Sequence, residues 1–378
     1  MGPRKSPHGA SSPGLSLIHV LATEYRRRLL AGSARKLTFT YEEIEQLYGA
    51  TPDGQLREEL ERLVMGGLLE EVGGRYYVLT PDALRLAEGH PAGAGPGQPE
   101  LDIYVAGNRY ALESVVGSVQ ISNWLVGAGV FWRGGSFDVA RAARLRARVP
   151  RLFLDSGAQQ FYRKFKGFAY PYSPRQYLDF ALAIGADLIA TLDLPLDILA
   201  PRGLPVKEGI KKTVEYGVEI YSLAEGLGVR QRVVPVLQGY TDPSEWLESL
   251  DLYKSHGVEA EVWGVGSLCM MSKPRLAERI LREVRRALPR ARLHVFGVDL
   301  NVLKRVVCLV DSYDTSVWIF WAKRYGTVRV WDPDSESFVK LKPYVRYPTE
   351  KLFRLNIREL FRFHSHMVEK KRLCPRIQ

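Results

Sequence analysis

Polar residues directly follow short apolar runs at five places in the sequence, and these positions are the best suited to chemistry. In folds of alternating parallel strands and helices, side chains at the carboxyl ends of the strands meet at one mouth, so we expect these residues to converge. They are Asp155 after LFL, Asp193 after LIATL, Gln238 after VVPVL, the Gly266 and Ser267 turn after VWGV, and Asp314 after CLVDSY.

Three carboxylates and one amide around a single mouth suit two kinds of chemistry. The N1 and N2 hydrogens of a guanine-like base need acceptors and its O6 needs a donor, which side chains of these types provide. Carboxylates also suit displacement at a glycosidic bond, where one traps or stabilises the sugar at C1 and another transfers protons. Each aspartate alone has a competing interpretation, because Asp at a strand end often caps the following helix.

Eight apolar runs of strand type alternate with longer segments of helical periodicity after residue 100. Such alternation indicates parallel strands joined by crossover helices. We therefore predict an α/β fold, a (β/α)8 TIM barrel over residues 100–331, with an open doubly wound sheet as the alternative. The predicted strands begin at Leu101 (LDIYVA), Gly129 (GVFW), Leu152 (LFLD), Asp187 (DLIATLD), Val233 (VVPVLQ), Glu261 (EVWGVG), Leu293 (LHVFGV) and Cys308 (CLVDSYD).

The region before the barrel has the pattern of a small separate domain. We interpret residues 1–14 as a flexible tail, 15–88 as a winged-helix-like domain of three helices and a hairpin, and 89–99 as a linker rich in Gly and Pro. Thr40 and Glu43 predict a capping box at the start of one helix, and Gly73 with Gly74 predicts the hairpin turn.

Charge is distributed unevenly along a chain whose formal net charge is +11. Residues 41–71 contain nine acidic and two basic residues, which would repel phosphate from the expected recognition helix. Residues 340–378 contain eleven basic and three acidic residues. We therefore expect nucleic acid as partner, with phosphates contacted by Arg354, Arg358 and Arg362 in a basic segment, 332–378, that completes or flanks the barrel. A solvated helix face is the alternative.

Apolar runs and cysteines indicate the cellular compartment. No run reaches the roughly 18 apolar residues of a membrane helix, and the amino end has no evident secretory signal, so we expect no membrane partner. Cys269, Cys308 and Cys374 are scattered and odd in number, which fits neither a disulfide framework nor paired metal ligands. We expect a cytoplasmic protein with reduced thiols, and Cys269 as a buried side chain near the mouth.

Six motifs of the barrel region resemble those of the tRNA-guanine transglycosylases, in the same order and at similar spacing. They are FLDSGAQQF, LIATLDLP, VPVLQG, WGVGSL, FGVD and VDSYDTSVWIFWAKRYG. The resemblance implies a barrel enzyme that exchanges a guanine base, with Asp314 as nucleophile and Asp155 as general acid/base. It implies base contacts from Asp193, Gln238, Ser156 and Gln160, and backbone donors toward O6 at Gly266 and Ser267.

Departures from the tRNA enzymes bear on cofactor and substrate. Family members of that type bind zinc through three cysteines and a histidine after the last strand, whereas residues 328–367 contain no cysteine. We therefore expect no structural zinc and no other cofactor. Tyr240 and Ser267 also stand where two family motifs have glycine. A zinc-free barrel of this kind resembles the DpdA-type deazapurine DNA-modification transglycosylases.

The resemblance to that branch implies a DNA substrate. Guanine in DNA would be replaced by a 7-deazaguanine such as 7-cyano-7-deazaguanine, with guanine as the leaving product and a covalent aspartyl-glycosyl intermediate. Partner proteins of a DNA-modification system are also expected. Two alternatives stay open, namely guanine exchange in tRNA and an inactive barrel that binds nucleic acid. The presence of both Asp155 and Asp314 favours an enzyme.

Overall fold

The computed structural model divides the chain into two compact units, Met1–Gly97 with Trp331–Phe338, and Gln98–Val330 with Val339–Gln378. The flexible tail predicted at residues 1–14 and the linker predicted at 89–99 lie outside the described residues. Those described are 17, 20–25, 39–48, 55–65, 69–72, 76–79, 101–107, 109–115, 121–162, 169–269, 274–341 and 347–374.

The amino-terminal unit combines helices with a small antiparallel sheet. Strand β1 (Phe39–Thr40) leads into α1 (Tyr41–Tyr48), α2 (Gln55–Met65), β2 (Leu69–Val72) and β3 (Tyr76–Leu79), and the strands pair in the order β1-β3-β2. The predicted capping box is present, because Thr40 and Glu43 each accept the other's backbone N–H, at 3.1 and 3.0 Å. The predicted turn at Gly73 and Gly74 lies outside the described residues, and the winged-helix type stays a prediction.

The larger unit is built around one parallel sheet. Its strands are β4 (Asp102–Ala106), β5 (Asn123–Gly127), β8 (Arg151–Asp155), β9 (Leu188–Ala190), β10 (Val233–Val234), β11 (Val236–Leu237), β12 (Val262–Val265), β13 (Arg292–Val295) and β14 (Ser312–Thr315). Within the described residues they run in the order β10-β9-β8-β5-β4-β14-β13-β12-β11.

The two ends of this sheet belong to one chain segment. Strands β10 and β11 lie on either side of Pro235, and β10 pairs with β9 while β11 pairs with β12. The carbonyl of Pro235 itself accepts the Gly264 N–H at 2.8 Å. Counted as one strand, residues 233–237 give eight strands in a nearly closed parallel ring. The α/β fold is therefore a TIM-like barrel, as predicted.

Seven of the eight predicted strands overlap strands of the barrel, and the prediction for the second was wrong. Residues 129–132 form part of a 3-10 turn (Ala128–Val130) and the first residue of β6 (Trp132–Arg133), which pairs with β7 (Ser136–Phe137). The barrel strand is β5, six residues earlier, where Trp124 is in register with both Val105 and Leu152. The whole stretch is apolar, so hydrophobicity alone did not locate the paired residues.

Helices follow the strands and cover the sheet. They are α3 (Arg109–Val115), α4 (Val139–Arg146), α5 (Ala158–Tyr162), α6 (Pro174–Ala183), α7 (Leu196–Leu199), α8 (Val206–Gly226), α9 (Pro243–Ser255), α10 (Pro274–Ala287), α11 (Leu300–Val306), α12 (Val317–Tyr325) and α13 (Thr349–Arg372). A hairpin of β15 (Val328–Asp332) and β16 (Ser337–Leu341) stands between α12 and α13. No helix in the described part of the chain has the length and apolarity needed to cross a membrane.

Aromatic side chains fill the barrel interior below the mouth. Tyr104 and Phe153 lie edge to face with ring centroids 5.3 Å apart. The His294 ring packs among them, 5.6 Å from Tyr104, 4.8 Å from Phe153 and 4.5 Å from Phe296. Ser312 is in register with His294, and Asp314 follows two residues later on the same face of β14, which places Asp314 on the mouth side of His294.

The carboxyl-terminal helix is fastened to the amino-terminal end of the barrel by a buried ionic cluster. Asp311, just before β14, accepts hydrogen bonds from Arg285 at 2.5 Å and Lys371 at 2.9 Å. Lys371 also donates to the Val310 carbonyl. Burial alone would raise the pKa of Asp311, but Lys371 and Arg285 bring that pKa below its ordinary value.

A disulfide joins Cys308 to Cys374 in the same region. The expectation of three reduced cysteines was therefore wrong. The two residues are 66 positions apart in sequence, and only the docking of α13 beside the segment before β14 brings them together. Their spacing carried no signal of this contact.

The Asp311 cluster gives a stability prediction. We expect Asp311→Asn to lower the free energy of unfolding at pH 7 by about 3–5 kcal/mol, because it leaves two buried cations without their carboxylate. The lowered pKa means that this stabilisation is present above the ordinary pKa of 3.8 and is lost as the pH falls through the lower folded-state pKa, so the difference from wild type should shrink in acid. Urea unfolding of both proteins from pH 3 to pH 7 measures this difference in the free energy of unfolding.

The matched control is Asp179→Asn, which removes an exposed ion pair with Arg175. That pair should contribute less than about 1 kcal/mol. Equal losses in the two variants would contradict the structural importance of the Asp311 cluster.

Candidate active site

One cavity of about 440 Å³ opens at the carboxyl ends of the barrel strands. Its volume is within the range of about 300–1,000 Å³ that is common for small-molecule sites. The structure brings together all the catalytic and base-binding residues that were predicted in the barrel region. The lining includes Asp155, Ser156, Gln160, Asp193, Gln238, Gly266, Ser267 and Asp314.

A buried chain of hydrogen bonds crosses the floor of this cavity. Asp193 accepts from the Ser156 hydroxyl at 2.6 Å through Oδ1 and from the Gln238 amide through Oδ2. The Gln238 carbonyl oxygen accepts in turn from the Ser267 hydroxyl, whose oxygen accepts the Leu196 N–H at 2.9 Å. Each carboxylate oxygen has two lone pairs, so Asp193 can still accept from a ligand. Its position is fixed before any ligand arrives.

Gly266 contributes space to the site, and its N–H is already used. That N–H donates to the Leu237 carbonyl at 2.9 Å, so the expectation that it donates toward O6 was wrong. A side chain at this position would collide with the Gln238 amide, so glycine is required for Gln238 to lie where it does. Ser267 has a φ of 58°, a left-handed conformation that is unusual for a residue other than glycine.

The pKa of Asp193 is raised to about 6. Burial is the largest cause and the charge of Asp197 adds to it, while the hydrogen bonds from Ser156 and Gln238 oppose the shift. The carboxyl group is therefore mostly ionised at pH 7. An ionised group of this kind accepts the N–H donors of a base.

Asp155 lies at the end of β8 and is more strongly perturbed. The pKa of Asp155 is raised to about 7. Burial is the largest cause and the charges of Asp193 and Asp314 add to it, while the backbone N–H groups of Gly157 and Ser156 oppose the shift. A carboxyl group that is close to half-protonated at neutral pH can both give and take a proton, which is the requirement for general acid/base catalysis.

Asp314 lies at the end of β14 and is 6% exposed. Its Oδ1 accepts the Gly297 N–H at 2.7 Å and lies 3.5 Å from Nε2 of His294. The imidazole is fully buried, and its Nδ1 is 2.9 Å from the Ser312 hydroxyl. The Gly297 N–H therefore orients the Asp314 side chain, whereas the buried Nε2 of His294 faces the same oxygen without a hydrogen-bond partner in the structure as described.

Gln160 fits a ligand-binding role for a different reason. Its Oε1 atom is buried without a hydrogen-bond partner in the structure as described. The side chain packs on three glycines, Gly127, Gly129 and Gly157, where an added side chain would meet Gln160 within 3 Å. A buried polar atom of this kind needs a partner, and a bound base would supply one.

The three arginines expected to contact phosphate lie on α13 and do not line the cavity. Burial lowers the pKa of Arg358 to about 10. Arg362 donates to Glu359 at 2.9 Å, and its side chain is only 14% exposed. Arg354 is half-buried. Phosphate contacts from these three arginines stay a prediction. Their charges are less accessible on α13 than the sequence suggested.

Several cavity residues were not singled out from the sequence. Lys323 and Arg324 of α12 line the mouth, although they stand in the same quoted run as Asp314. Asp197 lines the cavity four residues after Asp193, a spacing that indicates a helix start just beyond a strand end. Cys269 is exposed and lines the cavity, so the expectation of a buried thiol was wrong. In the described ranges no group of three or more His, Cys, Asp or Glu residues is placed to hold a metal ion.

The fold and this cavity define an α/β barrel enzyme with a carboxylate-lined site at the strand ends. The family model DpdA, described as DeoxyPurine in DNA protein A, matches residues 123–347, which is more than half of the chain. The chain therefore belongs to the DpdA family, and it is a transglycosylase of DNA deazapurine modification. No curated protein matches it.

The raised pKa of Asp155 gives a test of the site's electrostatics. A folded-state pKa of about 7 against the ordinary 3.8 means that ionisation destabilises the folded protein as the pH rises through this range. We expect the free energy of unfolding of Asp155→Asn, relative to wild type, to increase between pH 4 and pH 8 by on the order of 1–3 kcal/mol.

Thermal or urea unfolding across that range measures the difference. Asp251→Asn is the control, because Asp251 is exposed on α9 and its neutralisation should give no such trend. A difference for Asp155→Asn that does not change with pH would show that Asp155 is not held in this environment.

Proposed function

We propose that this protein replaces guanine in DNA with a 7-deazaguanine, such as 7-cyano-7-deazaguanine, through a covalent intermediate on Asp314. The observation that carries the proposal is the convergence of Asp155, Asp193 and Asp314 with Gln238 on one cavity, in a family described by deoxypurine in DNA. The family description implies a DNA substrate. We propose that the reaction requires no zinc and no other cofactor.

Asp314 is the nucleophile in this proposal. Its carboxylate forms a bond to C1′ of the target deoxyguanosine as the bond from C1′ to the guanine N9 breaks. Protonated Asp155 gives its proton to the departing guanine. The incoming 7-deazaguanine then loses its N9 proton to Asp155 and attacks C1′, which releases Asp314. The glycosidic bond energy is kept in the intermediate, so no external energy source is needed.

Recognition of the base is assigned to the buried chain of hydrogen bonds. Ionised Asp193 accepts hydrogen bonds from the N1 and N2 hydrogens of the base, and the Gln238 amide holds the Asp193 carboxylate in place. The Ser267 N–H is the proposed backbone donor toward O6. Ser156 and Gln160 complete the lining, with the Gln160 carbonyl oxygen accepting from a ligand N–H.

The exchange reaction tests the proposal directly. Purified protein is incubated with labelled guanine or 7-cyano-7-deazaguanine and with DNA duplex, single-stranded DNA or tRNA, in the presence of a chelator, and the polymers are digested for mass spectrometry. We expect label in DNA. Asp314→Asn should reduce incorporation about a thousandfold or more, because an amide does not attack C1′.

Asp251→Asn is the matched carboxylate control and should react as the wild type does. Modification of tRNA alone would overturn the DNA assignment, and near-normal exchange by Asp314→Asn would overturn the nucleophile. Loss of activity in chelator would contradict the proposal that no metal is needed.

His294 is the proposed positioning residue for the nucleophile. With its proton on Nε2 the imidazole faces Asp314 as a donor while Nδ1 accepts from Ser312, and hydrogen bonds at a catalytic site often tighten only when substrate binds. We expect His294→Phe to lower kcat about tenfold to a hundredfold, the loss of one charge-assisted hydrogen bond, with the KM for the base nearly unchanged.

His294→Gln is the conservative comparison, because its amide can place a donor near the same point, and it should recover much of the rate. Single-turnover formation of the covalent adduct measures the step concerned. Equal rates for the Phe and Gln variants would show that His294 only fills space.

A further inference from the structure

An exposed ridge of aromatic and basic side chains borders the cavity. It belongs to α12, which begins directly after the strand that carries Asp314. We define the α12 ridge as Phe320, Lys323, Arg324 and Tyr325. The first three line the cavity, and Tyr325 continues the ridge beyond those lining residues.

The rings of the ridge are unusually accessible for large apolar groups. Phe320 is 45% exposed and Tyr325 is 43% exposed, whereas most aromatic side chains of the barrel are buried. Exposed apolar surface is common on proteins, so a single ring carries no information. Phe320 at the opening of the cavity and Tyr325 beyond it, each close to a cation, form a surface suited to a ligand that is both flat and charged.

Cations are interleaved with these rings. The Arg324 guanidinium lies 5.2 Å from the centre of the Phe320 ring and 5.9 Å from that of Tyr325. Lys323 lies 5.2 Å from the ring of Tyr110, and Lys340 lies 5.6 Å from Tyr325. The α12 sequence VWIFWAKRY contains no acidic residue, so the ridge is positive.

Nucleic acid has the matching chemistry. Bases present flat faces that stack on aromatic rings, and phosphates pair with Lys and Arg, which is the combination used by proteins that hold single strands. A base that reacts in a deep cavity must also leave its stack, and its neighbours then need new contacts. Because three ridge residues line the cavity, the ridge lies beside any nucleotide that enters it.

We propose that the α12 ridge holds the DNA strand beside the reacting nucleotide, with the base next to the target stacked on Phe320 and the adjoining phosphates bound by Lys323 and Arg324. This inference rests on the proposed function, because it takes DNA as the substrate. It differs from the expectation for Arg354, Arg358 and Arg362, since the ridge cations line the cavity itself.

The first experiment measures stacking. DNA strands carry 2-aminopurine on the 5′ or the 3′ side of the target guanine, and their emission is compared in complexes with wild type, Phe320→Ala and Phe320→Tyr. We expect one probe to be quenched by wild type and by Phe320→Tyr but not by Phe320→Ala, because a stacked 2-aminopurine loses emission. Affinity should fall about tenfold in Phe320→Ala only.

The second experiment measures phosphate binding. Affinity for the same DNA is titrated at several salt concentrations with wild type and with the double variant Lys323→Gln, Arg324→Gln. The slope of log affinity against log salt should fall by about two, one for each phosphate that no longer has a cation beside it. Arg290→Gln is the matched control, because Arg290 is exposed just before β13, at the opposite end of the barrel, and its removal should leave the slope unchanged.

The exchange assay separates failure of the inference from failure of the proposed function. If wild type modifies DNA while the ridge variants bind and react as it does, the ridge assignment is wrong and the function stands. If wild type modifies only tRNA, both are wrong. Thermal unfolding of each variant checks that the exposed substitutions leave the fold intact. With an unchanged melting temperature, a decrease in binding reports on the ridge.

Discussion

The active-site architecture depends on keeping three carboxylates close together in a largely buried cavity. Asp155, Asp193 and Asp314 would repel one another if all were ionised there, and burial adds to the penalty. Each carboxylate accepts hydrogen bonds from donors that the fold holds in place. Asp193 accepts from Ser156 and Gln238, Asp155 from the Gly157 N–H, and Asp314 from the Gly297 N–H. Burial raises the pKa of both Asp155 and Asp193, and the hydrogen bonds that each accepts oppose that shift to different degrees, so the two carboxyl groups hold their protons with different strength.

Much of the site could be predicted from sequence, since a strand-end residue is recognisable where an apolar run stops. Six predicted residues line one cavity for that reason, and Ser156 and Gln160, which the family resemblance implied, line the same cavity. What could not be predicted depends on partners distant in the chain. The N–H of Gly266 donates to the neighbouring strand. Arg358 is half-buried on a helix whose sequence suggested a solvated face, and burial lowers its pKa. His294 resembles an ordinary strand residue until the barrel places it beside Asp314.

The fold shows the same division between local and distant information. Periodicity located seven strands, because each is bounded by polar or turn residues, and it failed at 129–132 because the apolar stretch there is continuous with β5. Cysteine spacing likewise gave no indication of the bond between Cys308 and Cys374, which exists only because α13 returns to the base of the barrel. Both the position of the second barrel strand and the disulfide depend on contacts between residues that are distant in sequence.

The pairing of β4 with β14 has a consequence for how the protein is made. These neighbours are the first and last strands of the ring, with Tyr104 in register with Asp314. During synthesis from the ribosome, β4 therefore presents an open edge until nearly the whole barrel sequence has emerged, and such long-range parallel pairing forms slowly. Asp314, the proposed nucleophile, lies on the strand that closes the ring. A nascent or truncated chain thus exposes an unpaired strand edge and lacks the complete set of three carboxylates that line the cavity. Closure of the ring and completion of the cavity therefore coincide.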